Sequence, residues 1–352
     1  MNLKDAVRRV VEGQDLTREE AMQAVDGILE GGAPDALVAA LLVALRMKGE
    51  TADEIAGAAL SLRNRARRVE VSDERLVDTC GTGGDLAHTF NISTAAAFVA
   101  AAAGARVAKH GNRAVSSRCG SADVLSALGV EIELSPLGVA ACIDQCGIGF
   151  LFAPRHHAAM RHVAPLRNAL GLRTLFNLLG PLANPAGARR QLIGVYAPHL
   201  VPVLARTLAE LGAVRAFVVH GEGGLDEISP CGLTLVAEVS NGTVREFHLV
   251  PEELGLSRGS IDELRGGDAA QNAQLLRAVL EGEKGARRTA VLLNAGAALA
   301  ASGVCATLAE AVKRAAGAVD SGAARQRIDA LVAVSQAEKA KADAAAPPGV
   351  PT

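Results

Sequence analysis

The chain has 352 residues, 49% of them hydrophobic, and a formal net charge of −2. That length allows one large domain and a smaller one, and the charge argues against a general polyanion binder. Aromatic residues make up 2% and Trp is absent, so no stacking platform for single-stranded nucleic acid is expected. No run of about 20 apolar residues is free of polar breaks and glycine, so no membrane span is expected.

Residues 1 to about 70 read as helices only. Met1-Asn2-Leu3-Lys4-Asp5 does not have the pattern of a signal peptide. Thr17-Arg18-Glu19-Glu20 and Thr51-Ala52-Asp53-Glu54 place a hydroxyl three residues before a Glu, the pattern of a capping box. Pro34 opens a helix with Leu37, Leu41 and Leu45 at four-residue spacing, and Gly49 stops it. An apolar face left over on such a unit often finds a second copy of itself.

From Glu74 the pattern becomes strand, turn and helix. Strands are predicted at 75–80, 105–109, 130–134, 148–152, 191–197, 214–220, 233–239 and 289–293. Helices are predicted at 92–103, 121–129, 136–146, 199–211, 268–281, 294–302 and 307–320. This alternation implies a mostly parallel sheet wrapped by helices. Asn241-Gly242 is a hairpin signal, so one antiparallel excursion is expected from Leu233 to Leu249. The segment 155–190 carries only helical text and is expected to return to the N-terminal helices. The expected division is a small helical domain over 1–70, joined by part of 155–190, and a large α/β domain over 71–343. A disordered tail is expected over 344–352, which is rich in Ala and Pro. The six cysteines make no C-x-x-C pair and read as reduced thiols of a cytoplasmic protein.

The chemistry concentrates between Asp78 and Gly129. A strand-like run ends in Gly81-Thr82-Gly83-Gly84-Asp85, and Asn91-Ile92-Ser93-Thr94 opens an Ala-rich helix. A second strand ends in Lys109-His110-Gly111-Asn112-Arg113, followed by Ser116, Ser117 and Ser121. Ligands of open α/β sheets bind outside the carboxyl ends of strands. Glycines let a backbone approach them, and the N–H groups of a following helix suit an anion. The loop is neither a Walker P-loop nor a G-x-G-x-x-G fingerprint. Asn91, Ser93 and Thr94 could cap the helix, or could hold phosphate or a magnesium ion bridging phosphates.

No acid occurs from Leu86 to Ala122, where Arg106, Lys109, Arg113 and Arg118 lie. A second acid-free window, Gln145 to Ala209, holds seven arginines. Surfaces lined by one sign of charge concentrate ligands of the other. Asp226-Glu227 follows another predicted strand end. Such a pair in a turn is usually just solvated, but facing phosphates it would ligate magnesium. His156-His157 sits between Arg155 and Arg161, which disfavours a metal there and leaves pocket lining or packing. The residues thus indicate a magnesium-assisted site for a diphosphorylated ligand, with a second anion on the arginines of 155–173.

The runs 78–85, 109–117, 120–125 and 173–185, with Leu225-Asp226-Glu227, resemble the anthranilate phosphoribosyltransferase family in order and over about residues 3 to 335. The resemblance implies a small all-helical domain hinged to a large α/β domain with a mostly parallel central sheet. It implies transfer of phosphoribose from phosphoribosyl diphosphate to the amine of anthranilate, in tryptophan synthesis. It also implies a homodimer joined through the helical domains. It assigns Gly81, Gly84, Asp85, Thr89, Asn91, Ile92, Ser93 and Thr94 to the phosphoribosyl diphosphate. Lys109, His110, Gly111, Asn112, Arg113, Ala114, Val115, Ser116, Ser117 and Ser121 continue that shell. Gly81, Asn112 and Arg167 would meet anthranilate, and Ser93, Asp226 and Glu227 would hold magnesium, two ions per monomer. No residue is singled out as a catalytic acid or base. The family often has Pro where this chain has Ala158, and an apolar residue where it has Arg155. Two alternatives are a pyrimidine nucleoside phosphorylase-like enzyme and a non-catalytic, nucleic-acid-binding relative of the same fold. Arg167 with the acidic pair argues against the first. The retained glycine loop and net charge of −2 argue against the second.

Overall fold

A computed structural model describes residues 1–72, 75–84, 87–114 and 118–345. The chain opens with four helices: α1 (Leu3–Val11), α2 (Arg18–Leu29), α3 (Asp35–Lys48) and α4 (Ala52–Asn64). Both expected capping boxes form, Thr17 with Glu20 and Thr51 with Glu54. Gly49, at φ 89°, ends α3, a conformation that costs an L side chain but not glycine.

The body then alternates. It runs β1 (Leu76–Gly81), α5 (Ile92–Ala102), β2 (Arg106–Gly111), α6 (Ser121–Ala127), α7 (Pro136–Cys146) and β3 (Ile148–Phe152). Next come α8 (Ala153–His156), a 3-10 turn (Ala158–His162), α9 (Ala164–Leu170), α10 (Leu175–Leu182), β4 (Arg190–Gly194), α11 (Leu200–Glu210) and β5 (Arg215–Gly221). The hairpin β6 (Thr234–Ser240) and β7 (Thr243–Leu249) leads to α12 (Ala269–Leu280), α13 (Ala286–Ser302), α14 (Leu308–Asp320) and α15 (Ala323–Ala345).

The seven strands form one sheet in the order β3-β2-β1-β4-β5-β6-β7, parallel from β3 to β5 and antiparallel beyond. The hairpin turns at Asn241 and Gly242, both at positive φ (46° and 84°), as a type I′ turn requires. The chain runs from β1 outward through β2 to β3, then returns to lay β4 on the other side of β1. That reversal creates a crevice at the carboxyl ends of β1 and β4, the place where open sheets of this kind bind ligands.

Two apolar cores lie against the sheet. One joins the sheet to α5, α6, α7 and α12 to α15. The other contains α1 to α4, α10 and α11 together with β4, β5 and β6. The 155–190 segment does return to the N-terminal helices: α9 packs on α3, and α10 on α3 and α4.

Two predicted strands do not form. Residues 289–293 lie inside α13, which is buried on nearly every face; a fully apolar run lacks the period that separates helix from strand. Residues 130–134 do alternate, with Val130, Ile132 and Leu134 buried, yet they join no ladder. The Glu131 N–H goes instead to Ser335 Oγ on α15. Ala344 and Ala345 belong to α15 rather than to a disordered tail, and 346–352 lie outside the described residues. All six cysteines are free thiols.

Candidate active site

The crevice between β1 and β4 ends in two glycines that are register partners, Gly81 and Gly194. A Cβ on Gly194 would lie 1.5 Å from the Asp226 carbonyl oxygen, and one on Gly81 would lie 2.3 Å from Asp226 Oδ2. The paired glycines therefore make the space in which the turn carrying Asp226 and Glu227 rests on the sheet. Asn294, buried on α13, fixes that turn from behind. It accepts from the Ile228 N–H (3.0 Å) and donates to the Ile228 carbonyl (3.1 Å).

The acidic pair is not simply solvated. Asp226 Oδ2 accepts from the Gly83 N–H at 2.8 Å, and Glu227 Oε1 accepts from the Ser93 N–H at 3.0 Å. Gly83 and Gly84 both have positive φ (68° and 77°), which turns the loop over the crevice. Ser93 is the second residue of α5, where a helix N–H has no partner of its own. Thr94 is buried, and its Oγ1 has no hydrogen-bond partner among the described residues.

From β2 comes Lys109, 2% exposed. Its Nζ donates to the Thr79 carbonyl and lies 3.4 Å from Ser93 Oγ. Burial pushes this ammonium below its ordinary value, opposed by the charges of Asp78, Glu227 and Asp226. Asp78 is fully buried, and burial pushes its carboxyl up, opposed by Lys109. It accepts from the His110 N–H (3.1 Å) and from Asn184 Nδ2 (2.8 Å), and so fixes the end of β2 against the segment after α10. Neither Asp78 nor Asn184 is singled out by sequence reasoning. The signal available for Asp78 is an acid inside an otherwise apolar strand.

His110 faces the returning segment. Its Nδ1 lies 3.0 Å from the Gly180 carbonyl, and its ring meets that of His157 edge-on, centroids 5.1 Å apart. Burial holds His110 neutral, down to about 3, and His157 down to about 4. His156 Nδ1 lies 2.8 Å from the Arg67 carbonyl. His156 and His157 are both buried, and no group of three or more His, Cys, Asp or Glu that could hold a metal is found among the described residues.

The remaining sequence candidates divide. Thr89 bridges to Arg265. Asn91 precedes α5 but does not cap it. Its Nδ2 donates to the Cys119 carbonyl (3.2 Å) and its Oδ1 accepts from Asn272 Nδ2 (2.9 Å). The Ile92 side chain lies in the core. Gly111 packs against Ser121, whose Oγ donates to the Asn112 carbonyl at 3.4 Å. Arg113 pairs with Asp123 at 3.2 Å, and the Ala114 N–H donates to the same carboxylate at 2.9 Å. The acid-free stretch thus receives an acid from α6 just beyond its end. Asp85, Val115, Ser116 and Ser117 lie outside the described residues. In the second window, Arg189 and Arg190 serve the opposite end of the sheet, donating to the Gly212 and Ala301 carbonyls.

Arg167 lies on α9, half-buried, with its guanidinium below its ordinary value through burial. Arg173, which sequence reasoning left inside a motif, reaches the glycine loop. It donates to the Gly84 carbonyl and lies over the Tyr196 ring, 4.1 Å from its centroid. The Tyr196 N–H donates to Thr82 Oγ1 at 3.2 Å.

Glu227 meets Ser93 at the start of α5, and its neighbour Asp226 meets Gly83 in the loop before that helix. The side-chain oxygens of Asp226, Glu227 and Ser93 are hard donors and too few for a protein-only cage, as suits magnesium, which keeps waters and substrate phosphates among its ligands. The donor set therefore fits that ion.

A helical bundle domain model of a glycosyl transferase family matches residues 4–66, and the α/β domain model of that family matches residues 73–325. The anthranilate phosphoribosyltransferase of Anaeromyxobacter dehalogenans strain 2CP-C is 57% identical over 333 residues, covering 95% of this chain and 98% of that protein. The crystal structure of anthranilate phosphoribosyltransferase from Thermus thermophilus superposes with a TM-score of 0.90 at 46% identity, covering 94% of this chain and 99% of that one. The Saccharomyces cerevisiae enzyme in complex with PRPP and Mg superposes with a TM-score of 0.86 at 28% identity, covering 95% and 98%.

Proposed function

The chain belongs to the anthranilate phosphoribosyltransferase family, and on that premise we propose that it transfers the 5-phosphoribosyl group of phosphoribosyl diphosphate to the amine of anthranilate, releasing diphosphate. The observation that carries the reading is the meeting of Asp226 and Glu227 with the N–H groups of Gly83 and Ser93 across the β1–β4 crevice.

The donor's diphosphate takes the loop at Gly83 and Gly84 and the first turn of α5, where backbone N–H groups and the helix terminus favour anions. Ser93, Asp226 and Glu227 would hold magnesium, two ions per protomer, and Lys109 adds a fixed positive charge beside Ser93. Bound magnesium would offset the charge that develops on the leaving diphosphate. The N–H groups of Gly83 and Ser93 would donate to the same charge once the diphosphate takes them from Asp226 and Glu227.

The acceptor needs no strong base, since the amine of anthranilate is already a neutral nucleophile. Its carboxylate binds Arg167 through charge-assisted hydrogen bonds, and Asn112 and Gly81 complete its contacts. Arg167 travels with the helical unit through the packing of α9 on α3. Closure of that unit on the α/β body brings the amine to the ribose carbon. We place the boundary between the two units near residue 70.

Among the described residues no helix is long and apolar enough to cross a membrane; the biosynthetic role proposed here places the enzyme in the cytoplasm. Val11 and Met47, 68% and 82% exposed, give the helical unit an apolar surface for a homodimer.

The test is direct. The purified protein is incubated with anthranilate, phosphoribosyl diphosphate and Mg²⁺, and anthranilate fluorescence is followed. Loss of fluorescence that needs all three is expected. Persistent fluorescence with a folded protein refutes the proposal.

A further inference from the structure

Two of the N–H groups that an incoming phosphate needs are held by the protein's own carboxylates. The Gly83 N–H donates to Asp226 and the Ser93 N–H to Glu227, at 2.8 and 3.0 Å. Both are charge-assisted bonds of the strong kind. The turn that presents the carboxylates cannot simply drift away. Its backbone sits on Gly194 with no room for a Cβ, and Asn294 grips Ile228 on both sides.

We infer that Asp226 and Glu227 act as internal anions that make the donor site select the metal-bound form of the diphosphate. This rests on the donor-site reading above. A metal-free diphosphate must break both bonds and then sit beside two like charges. A magnesium-bound one offers the carboxylates a cation, so their departure from Gly83 and Ser93 is compensated as the N–H groups pass to phosphate oxygens. The pair thereby has two linked roles: it ligates the ion, and it withholds the loop from a donor that lacks one.

The inference makes a counterintuitive demand on the metal-free protein. Neutralising the pair should tighten diphosphate binding when magnesium is absent. The probe is inorganic diphosphate in EDTA, titrated by calorimetry into the wild type, into Asp226→Asn with Glu227→Gln, and into Glu222→Gln. Glu222 lies on the same loop, but its carboxylate accepts from the Leu233 N–H at 3.0 Å and does not touch Gly83 or Ser93. At about tenfold per charge-assisted bond released, the double variant should bind metal-free diphosphate roughly 10- to 100-fold more tightly. Glu222→Gln should match the wild type. Amide NMR should show the Gly83 and Ser93 resonances shifting in the double variant as they do when wild type binds magnesium and diphosphate together.

Unchanged or weaker binding by the double variant overturns the inference. So does equal tightening by Glu222→Gln, which would reduce the effect to general charge. If the double variant does not fold, Asp226→Asn alone is read at the Gly83 amide, and an unmoved resonance counts against the inference. Wild type that binds phosphoribosyl diphosphate with Mg²⁺ while the double variant fails to tighten removes only this inference. Wild type that binds no donor even with Mg²⁺ removes the functional reading with it.

Discussion

Replacing Gly194 by Ala tests whether the sheet itself positions the acidic pair. The new Cβ would lie 1.5 Å from the Asp226 carbonyl oxygen and 2.2 Å from its carbon, where contacts under 3.0 Å are essentially never seen. Relief requires the Asp226 backbone to retreat by about 1.5 Å, since neither β4 nor its partner β1 can move without breaking the ladder. Asn294 resists the retreat on the other side. A misplacement of about 1 Å can cost about 100-fold in rate, and overpacking costs about 1–3 kcal/mol of stability. Gly194→Ala should therefore remain folded, lose about 100-fold in kcat, and require more Mg²⁺ for half-maximal activity. Gly81→Ala should be milder at this contact, because its clash is with the movable end of the Asp226 side chain. The assay is steady-state turnover across a Mg²⁺ series, with urea unfolding in parallel. Wild-type kcat and Mg²⁺ dependence in Gly194→Ala would refute the reasoning.

Arg167→Ala should raise the KM for anthranilate about 10- to 150-fold, from roughly 1.5–3 kcal/mol for a hydrogen bond to a charged group, with little change for phosphoribosyl diphosphate; equal effects on both substrates would contradict the acceptor role. Gly84→Val should lose phosphoribosyl diphosphate affinity by calorimetry while its far-UV circular dichroism is kept, because a β-branched residue is strained at φ 77° and its Cβ would lie 3.1 Å from the Arg173 guanidinium. His157 is held neutral, down to about 4, so the unfolded chain binds the extra proton below about pH 6.5. Its contribution to stability is then present above pH 6.5 and lost as pH falls toward 4. Relative to pH 7.5, the destabilisation caused by His157→Asn should shrink by about 2 kcal/mol at pH 5, measured by urea unfolding at both values. A pH-independent difference would show that the histidine is not held neutral.

Much of the candidate site is legible because its chemistry falls at strand ends. Gly81, the run from Asn91 to Thr94, and Lys109 follow short apolar strands, and topology alone brings strand ends together. Asp226 and Glu227 are legible as a pair but not in their engagement, which depends on Gly81 and Gly194 being register partners 113 residues apart in sequence. That pairing is a property of strand order, which no local pattern records. Asp78 and Asn184 are hidden for the same reason, since their bond spans 106 residues. The two misplaced strands fail differently. Residues 289–293 are apolar because α13 is buried on nearly every face. Residues 130–134 alternate correctly but lie under α15, an Ala-rich helix with too weak an apolar stripe to read. Asn91 looks like a cap, and its side chain is taken instead by Asn272 and the Cys119 carbonyl, partners 181 and 28 residues away.

The central claim is that one phosphoribosyl group passes to anthranilate as diphosphate departs. The most direct measurement follows both in one reaction, anthranilate by fluorescence and diphosphate by a coupled enzymatic assay. The account predicts one diphosphate released per anthranilate consumed, with neither process above background when the other substrate or Mg²⁺ is omitted. Anthranilate consumed without diphosphate, or diphosphate released at an undiminished rate with no anthranilate present, would contradict it.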